Sequence, residues 1–587
     1  MGKLFFYSLL AVLVLSCSGQ SALKSEYPNV VVILADDQGW GDLSVTGNTN
    51  IETPNIDKLA NTGVFFDRFY VCPVCSPTRA ELLTGRYHVR GGVYGTSSGG
   101  ERLDMDETTL ADFFKTAGYA TAAYGKWHNG MQPPYHPNAR GFDDFYGFCS
   151  GHWGNYFSPM LEHNGRIVQG EGFMADDFTN HGIQFIQQNK NNPFFLYLAY
   201  NTPHSPMQMP DRWWKKYENL TLKNTHDDPE KEDIPFTRAA LAMCENIDWN
   251  VGRIVQSIEE LELAQSTIII YLSDNGPNSW RWNGGMKGRK GSTDEGGVRV
   301  PMIMKWDGTL KSGSKINKIA GVTDLLPTLA DLTKIEFNPP KPLDGVSLKP
   351  LLMEKNPVWS DRYIISHWAG KTSVRNQKFR LDHNGQLFDM EDDPGQKSNV
   401  SDAYPDMTQK MKLAREKWEN DALAELQSSD QRTFTIGHPD FLYTQMPARD
   451  GVAHGNITRS NQWPNCSFFT NWLSTSDSIT WNTEVLKTGD YEVEIWYTCP
   501  PEDVGAIFEL SFAGEKITGK ITKAHNPPLI GMEKDKIERM ESYVKDFIPM
   551  QAGIIHLKKG TGTLSLKATE IPGAQAMDFR LILFTRI

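Results

Sequence analysis

Cys75, with Pro77 two residues on and Arg79 four residues on, leads into the run Ala80-Glu81-Leu82-Leu83, which reads as a loop entering a helix. Proline is tolerated in a first helical turn, where its missing N–H has no intrahelical bond to lose. Cys75 then stands at or just before a helix N-terminus, where free amides and the dipole favour a developing negative charge. That is a position for a nucleophile, and equally for a buried structural cysteine on a capped helix. Asp36-Asp37 and Asp274-Asn275 each follow a strand-like apolar run. Adjacent carboxylates at the carboxyl end of a buried strand lie where open α/β sheets hold their ligands, and like charges set together call for a cation. The Asp-Asn pair adds hard oxygen donors suited to calcium or magnesium, although an Asp-Asn-Gly sequence alone can be only a turn. Residues 287–301 are basic and glycine-rich, so that backbone and the Lys287 and Lys290 ammonium groups can approach an anion closely. Lys126, His128 and His204 each follow a further strand-like run, where the bland alternatives are a surface lysine and packing or surface histidines.

The elements that must position these groups are legible as patterns. Residues 29–35 form a continuous β-branched apolar run, which predicts a strand buried on both faces of a largely parallel sheet. Helices are predicted over 53–63, 110–117 and 238–262, and strands over 119–124, 194–200 and 267–272. Beyond Gln427 the pattern changes to alternating strands and turns, as in Asp490-Tyr491-Glu492-Val493-Glu494-Ile495-Trp496-Tyr497, whose odd positions face a core. This predicts an appended β-sandwich over 427–587. Packing against the rest of the chain is its expected role and carbohydrate binding the alternative.

At 587 residues the chain exceeds a single core, and two structural units are expected. A net charge of -12 gives no general basic surface for nucleic acid while leaving room for a local basic pocket around an anionic ester. Sixteen tryptophans are either core or stacking platforms for sugar rings. Residues 1–16 read as a signal peptide, with Lys3 before an apolar run too short for a membrane span. Val14-Leu15-Ser16-Cys17 resembles a bacterial lipoprotein processing site, which makes Cys17 a lipid anchor and residues 17–28 a tether; an ordinary secretory signal is the alternative. Either exports the chain, to the periplasm or the cell surface. Of the seven cysteines, Cys466 and Cys499 are the candidates for a disulfide within the C-terminal unit.

In their order along the chain, these stretches resemble the type I sulfatases of the alkaline-phosphatase superfamily. The resemblance is carried by the signature at 73–85 with its C-x-P-x-R core, G-K-W-H-x-G at 125–130, P-H-x-P at 203–206, S-D-N-G at 273–276, the basic stretch to Pro301, and landmarks at 322–328, 343–348 and 387–394. Asn129 stands where leucine is common, and Lys287 where arginine is frequent. The family implies an α/β catalytic domain over 29–330, built on a mixed, mainly parallel sheet with helices on both faces, and a smaller subdomain over 331–426. It implies that a maturation enzyme oxidises Cys75 to formylglycine, whose hydrate attacks sulfur. It also implies a calcium ion, or magnesium, held by Asp36, Asp37, Asp274 and Asn275 together with the hydrate from Cys75. Arg79 would orient the hydrate, Lys126 and Lys290 clamp the sulfate, His204 with Lys290 protonate the departing alkoxide, and His128 take the proton from the second hydroxyl. The expected activity is hydrolysis of sulfate esters on a sulfated glycan. The alternatives are a phosphatase or phosphonate hydrolase of the same superfamily and a non-catalytic glycan-binding lipoprotein. The cluster Trp280-Arg281-Trp282-Asn283 is expected to border the pocket entrance, with the arginine fork gripping a second anionic group; failing that, recognition falls to loops such as Gly151-His152-Trp153-Gly154-Asn155.

Overall fold

A computed structural model describes residues 27–426 and 429–587. The signal peptide, Cys17 and most of the tether lie outside the described residues. In chain order the main sheet is built from β1 (Asn29–Asp36), β2 (Val64–Tyr70), β3 (Ala120–Lys126), β4 (Asp144–Phe148), β5 (Met160–His163), β6 (Arg166–Gln169), β7 (Phe194–Pro203), β8 (Thr267–Ser273), β9 (Arg299–Lys305), β10 (Ser314–Ile316) and β11 (Ala320–Gly321). Their spatial order is β10-β2-β9-β8-β1-β7-β3-β4-β5-β6, with β11 also beside β2. The four central neighbours β8, β1, β7 and β3 are mutually parallel, while β9, β5 and β6 run antiparallel to their neighbours.

β1 is buried at every position, as its unbroken apolar run demands. Its alternate side chains serve two cores. Val31 and Ile33 pack with residues of α1 (Pro54–Thr62) and the long helices Met174–Asn189 and Ile234–Glu260, whereas Val30, Val32 and Leu34 pack on the other face with residues of α2 (Cys75–Thr84), Leu110–Thr116 and Leu325–Thr333. The helix expected from Arg238 starts four residues earlier, because Asp233 caps it by accepting from the Phe236 N–H at 3.0 Å and Pro235 lies in its first turn.

The central topology creates the site. Parallel neighbours end at the same edge of a sheet, so Asp36 at the end of β1, Lys126 at the end of β3, His204 just after β7 and Asp274 just after β8 arrive side by side.

A four-stranded antiparallel sheet, Ile364–Trp368 to Leu387–Asp389, and the helix Pro405–Ala422 form the smaller subdomain. It is joined to the catalytic sheet through Glu295, whose carboxylate takes Arg375 and Arg380 at 2.9 Å each and the Tyr70 hydroxyl at 2.8 Å, all four side chains being buried. Ser373 and Arg380 also donate to the Thr293 carbonyl. These bonds anchor the chain five residues beyond Lys290. Glu295→Ala strands two buried guanidinium groups, and a loss of about 3–5 kcal/mol in denaturant-unfolding stability is expected; a loss under about 1 kcal/mol would show that the cluster does not hold the two units together.

Residues 434–587 fold into two further six-stranded sheets. Their facing residues form one core that includes Tyr491, Val493, Ile495, Phe508, Leu510, Phe512, Leu564 and Leu566, the inward set expected from the alternation. Cys466 and Cys499 are buried free thiols, contrary to the pairing considered from sequence. Cys466 donates to the Ser542 carbonyl and Cys499 to its neighbour Pro500, so each is engaged at a different place.

Candidate active site

Cys75 is the first residue of α2, as the proline two residues later requires, and is buried. A carboxylate oxygen of Asp36, the Cys75 sulfur and a carboxylate oxygen of Asp274 all lie within 4.8 Å of one another. Arg79, one turn along the helix, points back into the cluster. Its Nε and Nη2 donate to Asp274 Oδ2 at 3.2 and 2.9 Å, and its Nη1 to the Lys126 carbonyl at 2.7 Å. The Asp37 N–H donates to Asp274 Oδ1 at 3.1 Å, and Asn275 Nδ2 to Asp37 Oδ1 at 2.8 Å.

Lys126 Nζ reaches Asp36 Oδ2 at 2.7 Å and Lys290 Nζ reaches Asp37 Oδ1 at 2.6 Å. His204 Nε2 lies 3.7 Å from Asp37 Oδ2. The residues expected from sequence thus converge from six separate stretches of chain. The Lys287 ammonium instead turns outward, 3.6 Å from Asp294 and over the Phe388 ring.

The electrostatics follow from burying this many charges together. Burial pushes the Asp36 carboxyl up, but Lys126, His204 and Arg79 outweigh it and hold the group well below its ordinary value. Asp37 is likewise lowered, burial being outweighed by Lys290 and His204. Asp274 goes the other way, to about 7, because burial and the Asp36 charge exceed the help from Arg79. Burial also raises the Cys75 thiol against the pull of Lys126 and Lys290. The helix N-terminus expected to favour an anion therefore carries a protonated, poorly nucleophilic thiol in the encoded residue.

Two observations fit the donor set to a hard cation. Asp36 Oδ1 and Asn275 Oδ1 are buried oxygens with no hydrogen-bond partner among the described residues, and each adjoins the Asp36–Cys75–Asp274 cluster or Asp37. Orphaned buried acceptors are costly unless a ligand satisfies them, and an all-oxygen set suits calcium or magnesium.

The histidines differ in tautomer. His128 Nε2 lies 2.8 Å from the Thr96 carbonyl and must donate to it, which leaves Nδ1 bare; that atom is buried and unpartnered. His128 also adopts φ 66°, an unusual backbone for a residue with a side chain. Burial, with Lys126 adding to it, holds His128 well below the usual histidine value, so it stays neutral and able to accept a proton. His204 Nδ1 donates to the Ser205 carbonyl at 2.7 Å, so its Nε2 carries a proton only in the cation. Burial and Lys290 lower it, with Asp37 and Asp36 opposing.

Several side chains at the site were not singled out from sequence, or were given another task. Asn129 Nδ2 donates to the Ser76 carbonyl at 3.2 Å and ties the His128 segment to the head of α2. Arg281 is buried and spends its donors on Asp42, Asn278, Ser279 and the Asp37 carbonyl. It braces the Asp37 turn, φ 69°, and has no fork left for a second anion, which corrects the expectation from sequence. Trp282 packs on Gly41, where a Cβ would meet its backbone oxygen at 2.6 Å and its ring at 3.0 Å. Trp280, Arg281, Trp282 and Asn283 all line a cavity of about 350 Å³, shared with Lys231 and Lys287. His152, from the alternative loop, stacks on His204 with ring centroids 5.9 Å apart, and its Nε2 is buried and unpartnered.

Residues 28–335 match the Sulfatase family, and residues 290–421 match the family described as N-sulphoglucosamine sulphohydrolase, C-terminal. The chain belongs to the sulfatase family and is a sulfuric ester hydrolase. It is 32% identical over 380 residues to the N-acetylgalactosamine-6-sulfatase of Mus musculus, covering 58% of this chain and 70% of that one. The crystal structure of Ps i-CgsB in complex with k-i-k-neocarrahexaose is similar at TM-score 0.62 and 32% identity, over 69% of this chain and 95% of that one. A Bacteroides thetaiotaomicron sulfatase structure (BT33336S-sulf), from a study of glycosaminoglycan metabolism, is similar at TM-score 0.57 and 25% identity, over 68% of this chain and all of that one.

Proposed function

We propose that this chain is an exported sulfatase that hydrolyses sulfate esters on sulfated polysaccharide or oligosaccharide, using a formylglycine made from Cys75 and a bound calcium ion. The observation that carries the reading is the convergence of Cys75, Asp36 and Asp274 within 4.8 Å, with Lys126, Lys290 and Arg79 around them. The glycan substrate is supported by relatives whose names specify an N-acetylgalactosamine sulfatase and a complex with a neocarrahexaose. Asp36, Asp37, Asp274 and Asn275 would hold the cation, calcium in our reading and magnesium as the alternative, and a cation there would supply Lewis-acid polarisation of a sulfate oxygen. Formylglycine supplies a hydrated aldehyde with one hydroxyl for attack and a second for release.

The side chains then divide the remaining work. Arg79, fixed by Asp274 and the Lys126 carbonyl, holds the reacting position at residue 75. Lys126 and Lys290 carry the positive charge that grips sulfate. The leaving oxygen is met by His204 Nε2 and the Lys290 ammonium, of which lysine is the group firmly protonated at neutral pH because Asp37 and neighbouring negative groups outweigh its burial. His128 Nδ1 is the bare acceptor for the proton that must leave in the second step. Since His128 is depressed by burial and protonates only in more acidic solution, the acid limb of the kcat–pH profile is expected below 6.5. An acid limb at or above 6.5, or one that His128→Gln leaves unchanged, would overturn that assignment.

Lipidation at Cys17, a place in the periplasm or on the cell surface, and a formylglycine-generating partner belong to the same proposal. Sulfate release is to be measured from k-i-k-neocarrahexaose, N-acetylgalactosamine-6-sulfate oligosaccharides and a small aryl sulfate, beside a matched phosphate ester. Preference for a sulfated oligosaccharide by at least tenfold in kcat/KM is expected. Preference for the phosphate ester would favour the phosphatase alternative, and binding without release from protein verified to carry formylglycine would favour a glycan-binding role.

A further inference from the structure

A cavity of about 180 Å³ lies where the β unit at 434–587 meets the catalytic unit. Trp153, Met160 and Val168 line it from the catalytic side, and Trp496, Phe547 and Arg580 from the β unit. Ser158, Gln169 and Asp546 are exposed and form its rim, whereas Trp153, Phe547 and Arg580 are buried and form its floor. The two sides are locked together, since Arg539 donates to the Gly154 carbonyl and a Cβ on Gly154 would overlap the Val544 side chain. Neither the four cation-site residues nor Cys75, Lys126, His128, His204 and Lys290 line this cavity, so it is separate from the reaction centre.

Arg580 at its floor is a buried cation without a counter-charge. The strands Gly489–Thr498 and Asp578–Arg586 are antiparallel, with Trp496 opposite Leu581 and Tyr497 opposite Phe579, which leaves Arg580 as the extra residue of a β-bulge. A bulge re-aims the side chain it carries. Arg580 is 3% exposed; its Nη1 donates to the Ser467 carbonyl at 2.6 Å, and its guanidinium stands 5.3 Å from the centre of the Trp153 ring. Among the described residues no carboxylate pairs with it and no acceptor meets its other N–H groups. The other charges that line the cavity are engaged elsewhere, Lys545 with Asp578 at 2.6 Å and Asp546 at 3.9 Å from His525. Burial pulls Arg580 down to about 10, with Cys466 opposing and Arg449 adding to it, so the group stays a cation at neutral pH. An uncompensated charge in a cavity wall is costly unless an anion reaches it. Trp496 adds a second open donor, because its indole N–H is buried with no partner among the described residues.

The lining sets the chemistry of the occupant. It must bring negative charge to Arg580, whose planar fork suits a sulfate or a carboxylate. It must also present a flat, partly apolar face to Trp153 and Trp496, as a sugar ring does. The volume, below the ~300–1,000 Å³ of pockets for drug-sized ligands, admits one such ring and not a chain. A bare inorganic anion would meet Arg580 and leave the tryptophan walls unfilled.

We propose that this cavity is a second, non-catalytic site that holds one sulfated sugar residue of a glycan, with the sulfate on Arg580 and the ring against the tryptophan walls. The proposal rests on the sulfated-glycan reading above for the identity of the sugar and on Arg580 for the anion. A polymer gripped there stays on the protein while its other residues visit the reaction centre, which raises their effective concentration without any new contact at Cys75.

The test uses the full chain in a Cys75→Ala background, with and without Arg580→Met. Crystals are soaked separately with N-acetylgalactosamine-6-sulfate, k-i-k-neocarrahexaose, unsulfated N-acetylgalactosamine and inorganic sulfate, and calorimetry reads the affinity and number of sites for each. Difference density for at least one of the first two is expected in the cavity, with sulfate oxygens within hydrogen-bond distance of Arg580. Arg580→Met is expected to remove that density and one site per chain, while density at the reaction centre persists. Affinity at the cavity is expected to be at least about tenfold weaker for the unsulfated sugar and for inorganic sulfate, the scale of one lost anchor. Trp496→Leu, on the facing wall, is expected to weaken the sulfated sugar there by a similar factor, and it keeps the test open where Arg580→Met does not fold. Both sulfated sugars bound at the reaction centre alone, or a cavity site indifferent to these substitutions, would overturn the proposal. Inorganic sulfate binding as tightly as the sugars would reduce the cavity to an anion site and overturn its assignment to a glycan. Occupation of the cavity in a protein that releases no sulfate when matured would count against the glycan-sulfatase reading and leave this site standing.

Discussion

Cys75→Ala is expected to fold as the parent does and to lose sulfate release by roughly 10⁴-fold or more, the scale for removing a nucleophile from a preorganised site. Alanine suits the first turn of α2 and removes one sulfur atom, whereas the helix is held by the burial of all ten of its residues. The mechanistic content lies in what the active protein carries at this position. Burial raises the Cys75 thiol, so the encoded side chain is neither a thiolate nor an alcohol with a base bonded to it. Mass spectrometry of the peptide from protein matured in a competent host is expected to find formylglycine at residue 75. Cys75→Ser separates the two requirements, because it offers one hydroxyl for attack and no second one for release. At most a single transfer per molecule is expected from it, with no turnover. Unmodified cysteine in fully active protein would end this account.

The parts of the site visible in the sequence are those written in contiguous residues. β1 and β8 could be read because a strand buried on two faces must be apolar throughout, and the polar residue that ends such a run marks the ligand edge of the sheet. The residues that set the strength of the site are spread over long separations. Arg281 stands beside the Asp274-Asn275 pair and looked free to reach substrate, yet Asp42, some 240 positions away, claims two of its bonds at 2.8 and 2.6 Å. No periodicity announces such a pair, although a buried arginine does need a carboxylate, and Asp42 lies only five residues after Asp37.

Glu295 was visible as part of a motif and not as the anchor for Arg375 and Arg380. Asn465, which accepts from the Gly151 N–H, and Glu541, which accepts from the Ser205 hydroxyl, carry no signal at all in a single sequence, because the alternation that reveals the sandwich describes its core and is silent about which loops touch the catalytic unit. The same holds for Cys466 and Cys499: the sequence admitted a bridge between them, and only the three-dimensional positions exclude it.

Asp274→Ala is expected to reduce sulfate release by roughly 10²–10³-fold or more, the scale for loss of one charge-stabilising element, and to lower the bound divalent cation below one per chain by elemental analysis. Asp274 has two partners: Oδ2 takes Arg79 and Oδ1 takes the Asp37 N–H. Deleting it removes one cation donor, loosens the Asp37 turn, and leaves the buried Arg79 with the Lys126 carbonyl at 2.7 Å and a more distant carboxylate, Asp36 at 3.9 Å. Some of the activity loss will therefore be positional, and the variant Asp274→Asn sorts the two causes. Its Oδ1 can still accept from Asp37, but the side chain loses the charge that attracts a cation and sets an amide against Arg79. If Asp274 acts mainly through the cation, Asn is expected to be nearly as inactive as Ala, with partial recovery at high calcium. If it acts mainly by holding the Asp37 turn, Asn retains most of the activity. Chelation of the wild type to verified loss of metal is expected to match the Ala variant and to reverse on adding calcium. Full activity in metal-free protein would overturn the role given to Asp36, Asp37, Asp274 and Asn275 together, and would leave the orphaned buried oxygens of two of them, Asp36 Oδ1 and Asn275 Oδ1, without a ligand to satisfy them.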